Sequence, residues 1–220
     1  MIRHAKSTAN EYKNMTGLIA TENKYKNAGL SIKGINEIII NKNKLLQKIG
    51  ASDIIIISPL KRTIQTFLYL YENVNLNTYV GISPIVSEIA RDIENIGVNN
   101  KTTICDSELN KFNNFYKIDF DNDYFYYYGW KNSHFDWFEK ENKILNDSIK
   151  RKYAFLNFLR NDIFKNKQIT IFTHCLFIHA IINEYVNNLD IVEFDFDLSE
   201  CNNDRAIKNI IINRVTCLHN

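Results

Sequence analysis

The chain has 220 residues, 45% hydrophobic and 24% charged, with 27 Lys and Arg against 25 Asp and Glu for a net charge of +2. These proportions fit one globular domain with a sizeable core. They exclude an acidic disordered tail, a collagen-like fibre and a disulfide-dense miniature fold, and the even charge balance argues against a nucleic-acid clamp.

Asn makes up about one residue in seven, while Gly and Pro are scarce at 7 and 2. This is a drift in codon usage that weakens composition as a guide to function. Cys105, Cys175, Cys201 and Cys217 are scattered without a CxxC pair. They predict neither a zinc site nor a disulfide framework, and reduced thiols in a cytoplasmic protein are expected. The opening MIRHAKSTAN has no apolar signal core. No apolar run approaches the roughly 18–20 residues of a membrane span.

Along the chain, strand and helix patterns alternate. Residues 31–49 place Ile32, Ile35, Ile38, Ile39, Leu45, Leu46 and Ile49 largely on one helical face, with Ser31 as N-cap and Gly50 as the stop. The run from Asp53 to Ser58 is continuous and β-branched, as suits a strand buried on both faces of a parallel sheet. Residues 60–72 read as the next helix, and 80–86 as a short strand limited by Pro84.

The stretch 88–138 has no clear period and reads as an insertion within one domain spanning 1–220. Its aromatic run Tyr124–Tyr128, with Trp130, Phe135, Trp137 and Phe138, could suggest base or sugar stacking. Rings buried against the sheet rim are the better reading. Residues 139–164 predict a long amphipathic helix through Ile144, Leu145, Ser148, Ile149, Lys152, Tyr153, Leu156, Leu159 and Ile163. A buried strand follows at 167–173, then a helix at 176–186 and strands at 191–198 and 209–215. This alternation predicts a three-layer α/β/α fold with a mainly parallel central sheet.

Three segments carry chemistry. Arg3-His4 opens the chain, with Asn10 after it; Ser58-Pro59-Leu60-Lys61-Arg62 follows one buried strand; His174 follows another. Carboxyl ends of strands form the usual ligand crevice of open α/β sheets. Two histidines and two arginines at such ends would converge on one volume. There the guanidinium forks suit phosphate and an imidazole can attack phosphorus.

Ordered blocks extend this pattern. Ile2-Arg3-His4-Ala5-Lys6-Ser7 resembles an Arg-His-Gly signature, with Ala5 at the usual Gly. Leu30-Ser31-Ile32-Lys33-Gly34 resembles a Leu-Thr-x-x-Gly helix start. The block Ser58-Pro59-Leu60-Lys61-Arg62-Thr63-Ile64-Gln65-Thr66 matches Ser-Pro-Leu-x-Arg-x-x-Gln-Thr. Pro84-Ile85-Val86-Ser87-Glu88 resembles an acid-bearing Leu-x-Glu segment, and Ile171-Phe172-Thr173-His174 a late Val-Ser-His block. Together they resemble the histidine phosphatase superfamily, in its phosphoglycerate mutase-like branch 1.

The resemblance implies that His4 accepts the phosphoryl group, that Arg3, Arg62 and His174 hold its oxygens, and that Asn10 assists at the rim. It implies Glu88 as general acid and then base, although spacing alone does not choose Glu88 over Asp92, Glu94 or Glu108. No metal and no cofactor are expected. The partner is a small phosphorylated substrate, with neither nucleic acid nor membrane. The paired-arginine, proline-rich segment of the glycolytic mutases is not found, so a phosphatase is expected over a mutase or an inactive phosphate-binding module.

Only Met1 and Ile2 precede Arg3, where relatives have a strand of about five residues. A truncated first strand is therefore expected, with the natural reading frame beginning upstream. His179 is read as a packing or surface residue, His134 and His219 as surface residues, and Cys175 as a small buried side chain.

Overall fold

The computed structural model describes residues 1–18, 25, 28–58, 60–74, 78–82, 86, 116–117, 148–200 and 205–215. Their strands form one seven-stranded sheet in the order β4-β3-β2-β5-β1-β6-β7. These strands are β1 (Ile2–Arg3), β2 (Ile54–Ile57), β3 (Tyr79–Ile82), β4 (Tyr116–Lys117), β5 (Ile169–Thr173), β6 (Ile191–Phe196) and β7 (Ile207–Asn213). The five strands from β4 to β1 run parallel; β6 is antiparallel to β1, and β7 to β6. The sheet is mainly parallel, as predicted.

The two faces follow the period-2 alternation of buried strands. Ile54, Ile56, Ile171 and Val192 point to one side and pack with Phe155, Leu156, Phe177 and Ile178. Those partners come from α4 (Ser148–Leu159) and α5 (Cys175–Ile182). Ile55, Ile57, Phe172 and Ile191 point to the other side and pack with Ile38, Leu45, Phe67 and Leu70. These lie on α2 (Ile32–Ile49) and α3 (Lys61–Tyr71). A sheet between two helical layers is the three-layer arrangement expected.

Local signals set several boundaries. Ser31 caps α2 by accepting from Gly34 N, and Gly50, in the left-handed region at φ 66°, donates from its N–H to Leu46 O. Gly34 is required by close packing: a Cβ there would lie 2.1 Å from Lys6 O.

Two readings are corrected and two elements are added. A helix not foreseen, α1 (Thr8–Thr16), starts at a capping box in which Ser7 and Asn10 bond reciprocally. Its sequence, TANEYKNMT, has no apolar stripe, and none of its residues is buried. The helix read over 139–164 is described from Ser148 and ends at Leu159, followed by a 3-10 turn at Asp162–Phe164. Its inward face is Arg151, Phe155, Leu156, Phe158 and Leu159, whereas Ile149, Tyr153 and Ile163 are exposed. The sheet-facing residues of α2 are Ile38, Leu45 and Ile49; Ile32 and Ile39 face outward, because the core claims a narrower stripe than the sequence offers. Within 88–138, the described residues Tyr116 and Lys117 add β4 to the sheet edge beside β3.

The aromatic run, His134, His219 and three of the cysteines lie outside the described residues. Cys175 is half-buried and is a free thiol. No helix among the described residues is long and apolar enough to cross a membrane.

Candidate active site

The sheet order places β2, β5 and β1 side by side, so their carboxyl ends present Ser58, His174 and His4 to one another. His4 N donates to Thr173 O at 3.0 Å, and Ser58 N to Phe172 O at 3.0 Å, which continues the ladder to the residues of the site. The imidazoles of His4 and His174 lie 5.1 Å apart, centre to centre, tilted by 58°. Both rings are buried. This is the convergence expected from residues remote in the chain.

The segment Arg3–Ser7 is held on several sides. Ala5 N donates to Thr66 Oγ1 at 3.0 Å, and Thr66 Oγ1 donates to Arg62 O at 2.6 Å. Gln65 Oε1 accepts from Leu30 N at 2.8 Å. The Gln-Thr pair of the Ser-Pro-Leu block therefore ties α3 to the loop of His4 and to the start of α2. Lys6 O accepts from Ser31 N and Ser31 Oγ, and Lys6 Nζ pairs with Glu37 at 3.1 Å. Asn188 Nδ2 donates to His4 O at 2.8 Å.

These contacts fix a tautomer. His4 Nδ1 lies 2.7 Å from Ala5 O. A carbonyl oxygen only accepts, so Nδ1 carries the proton and the neutral ring keeps its lone pair on Nε2. The His4 pKa is held well below the usual 6.5, first by burial and then by the charges of Arg62 and Arg3, against a smaller upward pull from the Ala5 bond. The ring is thus neutral at neutral pH.

His174 is pushed down in the same way, by burial first and then by Arg62, His4, Arg151 and Arg3. Its Nε2 lies 2.7 Å from Ser58 Oγ, which sets the ring's orientation. Both histidines therefore sit in positive potential and are desolvated, a combination that favours an anion between them.

The other predicted residues are placed as follows. Arg62, the second residue of α3, is 4% exposed, and its charge acts on both rings. Arg3 is half-buried, and its Nη1 donates to Val186 O at 2.6 Å, so part of its fork is spent on positioning. Asn10 Oδ1 accepts from Ser7 N at 3.2 Å and lies 3.5 Å from Asn188 Nδ2, which makes it part of the cap of α1. Glu88 lies outside the described residues. Val86, two residues earlier, is buried and accepts from Thr173 Oγ1 at 2.5 Å. His179 stacks on Tyr185 at 3.9 Å, a packing role as read.

Three contributors escaped the sequence reading. Arg151 of α4 is buried and lowers the His174 pKa. Asn188 supports the His4 backbone. Asp190, fully buried, accepts from Asn187 N, Val215 N and Arg214 and offers its own carbonyl to Arg3 N. Only the tertiary structure brings these to the site.

No protein-family model matches the chain, and comparison with curated proteins finds no match. Among solved structures, it is similar to mycobacterial hydrolase 1, with a TM-score of 0.52, 10% identity, and 99% of this chain and 98% of that one covered. It is also similar to the native mycobacterial glucosyl-3-phosphoglycerate phosphatase, with a TM-score of 0.50, 10% identity, and the same two coverages. A phosphoserine phosphatase from Entamoeba histolytica aligns over 89% of this chain and 88% of its own, at 19% identity and a TM-score of 0.48. With the three-layer topology above, the likenesses to the two mycobacterial structures show that the chain shares their fold.

Proposed function

We propose that the chain hydrolyses phosphate monoesters without a metal, by way of a phosphohistidine on His4. The observation that carries this is the facing of His4 and His174 at 5.1 Å within the field of Arg3 and Arg62. Phosphoryl transfer asks for positioning and charge stabilisation more than for covalent chemistry, and buried cationic donors supply both.

In this reading, His4 Nε2 attacks phosphorus as the bond to the ester oxygen breaks. The leaving oxygen takes a proton from an acid, for which Glu88 is the candidate. Arg3, Arg62 and His174 neutralise the phosphoryl oxygens. The bound dianion raises the proton affinity of His174, so that its ring becomes a charged donor once substrate is present. Water, deprotonated by the same acid's conjugate base, then attacks phosphorus. The P–N bond breaks, inorganic phosphate leaves, and neutral His4 is restored.

The test is turnover of a general phosphate ester by wild type and His4→Ala, with and without a chelator. Phosphate release that resists the chelator and vanishes in the variant supports the reading. Phosphoryl return to the substrate instead of to water would make the protein a mutase. Phosphate binding without turnover would make it an inactive module.

A further inference from the structure

The turn over residues 186–190, which joins α5 to β6, holds Arg3 and His4 from one side. Leu189 N donates to Arg3 O at 3.1 Å, and Arg3 N donates to Asp190 O at 3.2 Å. Arg3 Nη1 donates to Val186 O at 2.6 Å, and Asn188 Nδ2 donates to His4 O at 2.8 Å. Of these contacts, only that of Asn188 is made by a side chain of the turn. The turn is pinned in its own right. Asp190 N donates to Asn187 O at 3.2 Å, while Asp190 Oδ2 accepts from Asn187 N at 2.7 Å. Val215 N donates to Oδ1 of the same buried carboxylate at 2.9 Å, and Arg214 Nη1 to its Oδ2 at 3.3 Å. Leu189, between the pinned residues, is fully buried in the left-handed region at φ 66°. A leucine rarely adopts that backbone, and it persists where bonds on both sides over-determine it.

The half-buried Asn188 amide acts at two places. His4 C=O and Ala5 N–H belong to one peptide plane. Asn188 holds the oxygen of that plane, and Thr66 Oγ1 accepts from its N–H at 3.0 Å. A rigid plane bonded at both ends cannot rock about the chain. The next carbonyl along is Ala5 O, which fixes the His4 ring through Nδ1 at 2.7 Å. The same Asn188 Nδ2 also meets Asn10 Oδ1 at 3.5 Å, an oxygen that accepts from Ser7 N as well. With its oxygen engaged by two donors, Asn10 has its amide N–H groups to offer an anion, and a phosphoryl oxygen only accepts.

We propose that Asn188 is a positioning residue of the phosphoryl site: its amide nitrogen locks the peptide plane behind the nucleophile and turns the Asn10 amide so that its donors face the anion. The consequence for turnover rests on the hydrolase reading above; the consequence at the His4 ring rests on the hydrogen bonds alone. Without the Asn188 amide, the His4–Ala5 plane is held at one end only, and Ala5 O no longer sits at a fixed place for Nδ1. The neutral ring then spends part of its time with the proton on Nε2, where no lone pair is left to attack phosphorus. The Asn10 amide, freed from one of its two donors, can also turn its oxygen toward the anion, which repels it.

The experiment compares wild type with Asn188→Leu, which keeps the shape of the side chain without its donors, and with Asn188→Ala. Ring-nitrogen NMR spectra near neutral pH, with the His4 signals assigned by their loss in His4→Gln, report the tautomer. Competition by inorganic phosphate reports the anion site, and melting curves report stability. The expected result is a single Nδ1–H tautomer in wild type and a mixture in both variants. Inorganic phosphate binds both variants about 10-fold more weakly, kcat falls roughly 10–100-fold, and Tm falls by only about 2–4 °C. A single wild-type tautomer, or undiminished phosphate affinity, in both variants would overturn the proposal. So would wild-type turnover in Asn188→Leu with loss in Asn188→Ala alone, which would make the residue a filler of space. If wild type itself releases no phosphate, the hydrolase reading falls, and the His4 spectra still decide this inference.

Discussion

Ser58 Oγ and His174 Nε2 are joined at 2.7 Å across the ends of two neighbouring strands. Ser58 belongs to the block that also delivers Arg62, so one segment both orients the second histidine and supplies a cation. Ser58→Ala is expected to lower kcat by roughly 10–100-fold through loss of ring orientation, while Ser58→Thr, which keeps the hydroxyl, retains most activity. Steady-state kinetics on both variants, with melting curves to separate stability, check this.

Arg62 depresses the pKa of His4. Removing its charge in Arg62→Gln lets that pKa rise. The nucleophile must be neutral, so the acid limb of the kcat/KM profile moves to higher pH in the variant. A pH–rate profile tests the sign. A limb that stays in place would separate the arginine from control of the nucleophile.

Stability has its own pH dependence. His4 and His174 both have folded-state pKa values below 6.5, because burial and nearby cations disfavour their charged forms. Below about pH 6.5 the unfolded chain binds protons that the folded chain excludes. Stability present above that pH is therefore lost as pH falls toward the depressed values, and these two groups alone contribute a slope approaching about 2.7 kcal/mol per pH unit. Denaturant unfolding between pH 7.5 and 5 measures it. The same series on His4→Gln, with one of the two protons removed, should be flatter.

Gly34 touches the loop of His4 through Lys6. A Cβ at this position would lie 2.1 Å from Lys6 O, a backbone contact that cannot rotate away. Gly34→Ala is expected to cost about 3 kcal/mol or more and to reduce activity by displacing His4. A melting curve and a turnover assay on one preparation report both effects.

The sequence carried much of this fold because its strongest signals are local. The all-isoleucine β2 is buried at every position, as a β-branched run in a parallel sheet should be. Ser31 and Gly50 bound α2 by capping chemistry that depends on immediate neighbours. Of the residues brought together at the site, Arg62 and His174 were legible because each follows a recognisable buried strand, and Arg3 and His4 through their likeness to the Arg-His-Gly signature. Helix α1 was hidden because it buries no residue and so has no apolar stripe. Arg151 and Asn188 were hidden because their roles depend on which elements meet. The inward face of α4 was misjudged for a related reason: its sequence offers apolar residues on more than one side, and the sheet selects among them.

The central claim is that His4 carries the phosphoryl group, and trapping that group is the most direct measurement. Wild type and His4→Ala would be mixed with a phosphate ester labelled at phosphorus, quenched in alkali, where a phosphorus–nitrogen bond survives, and digested for peptide mapping. The account predicts label on the peptide containing His4 in wild type, and none in the variant, whose turnover falls by roughly 10³-fold or more. Unlabelled His4 during steady hydrolysis, with undiminished turnover in the variant, would contradict it.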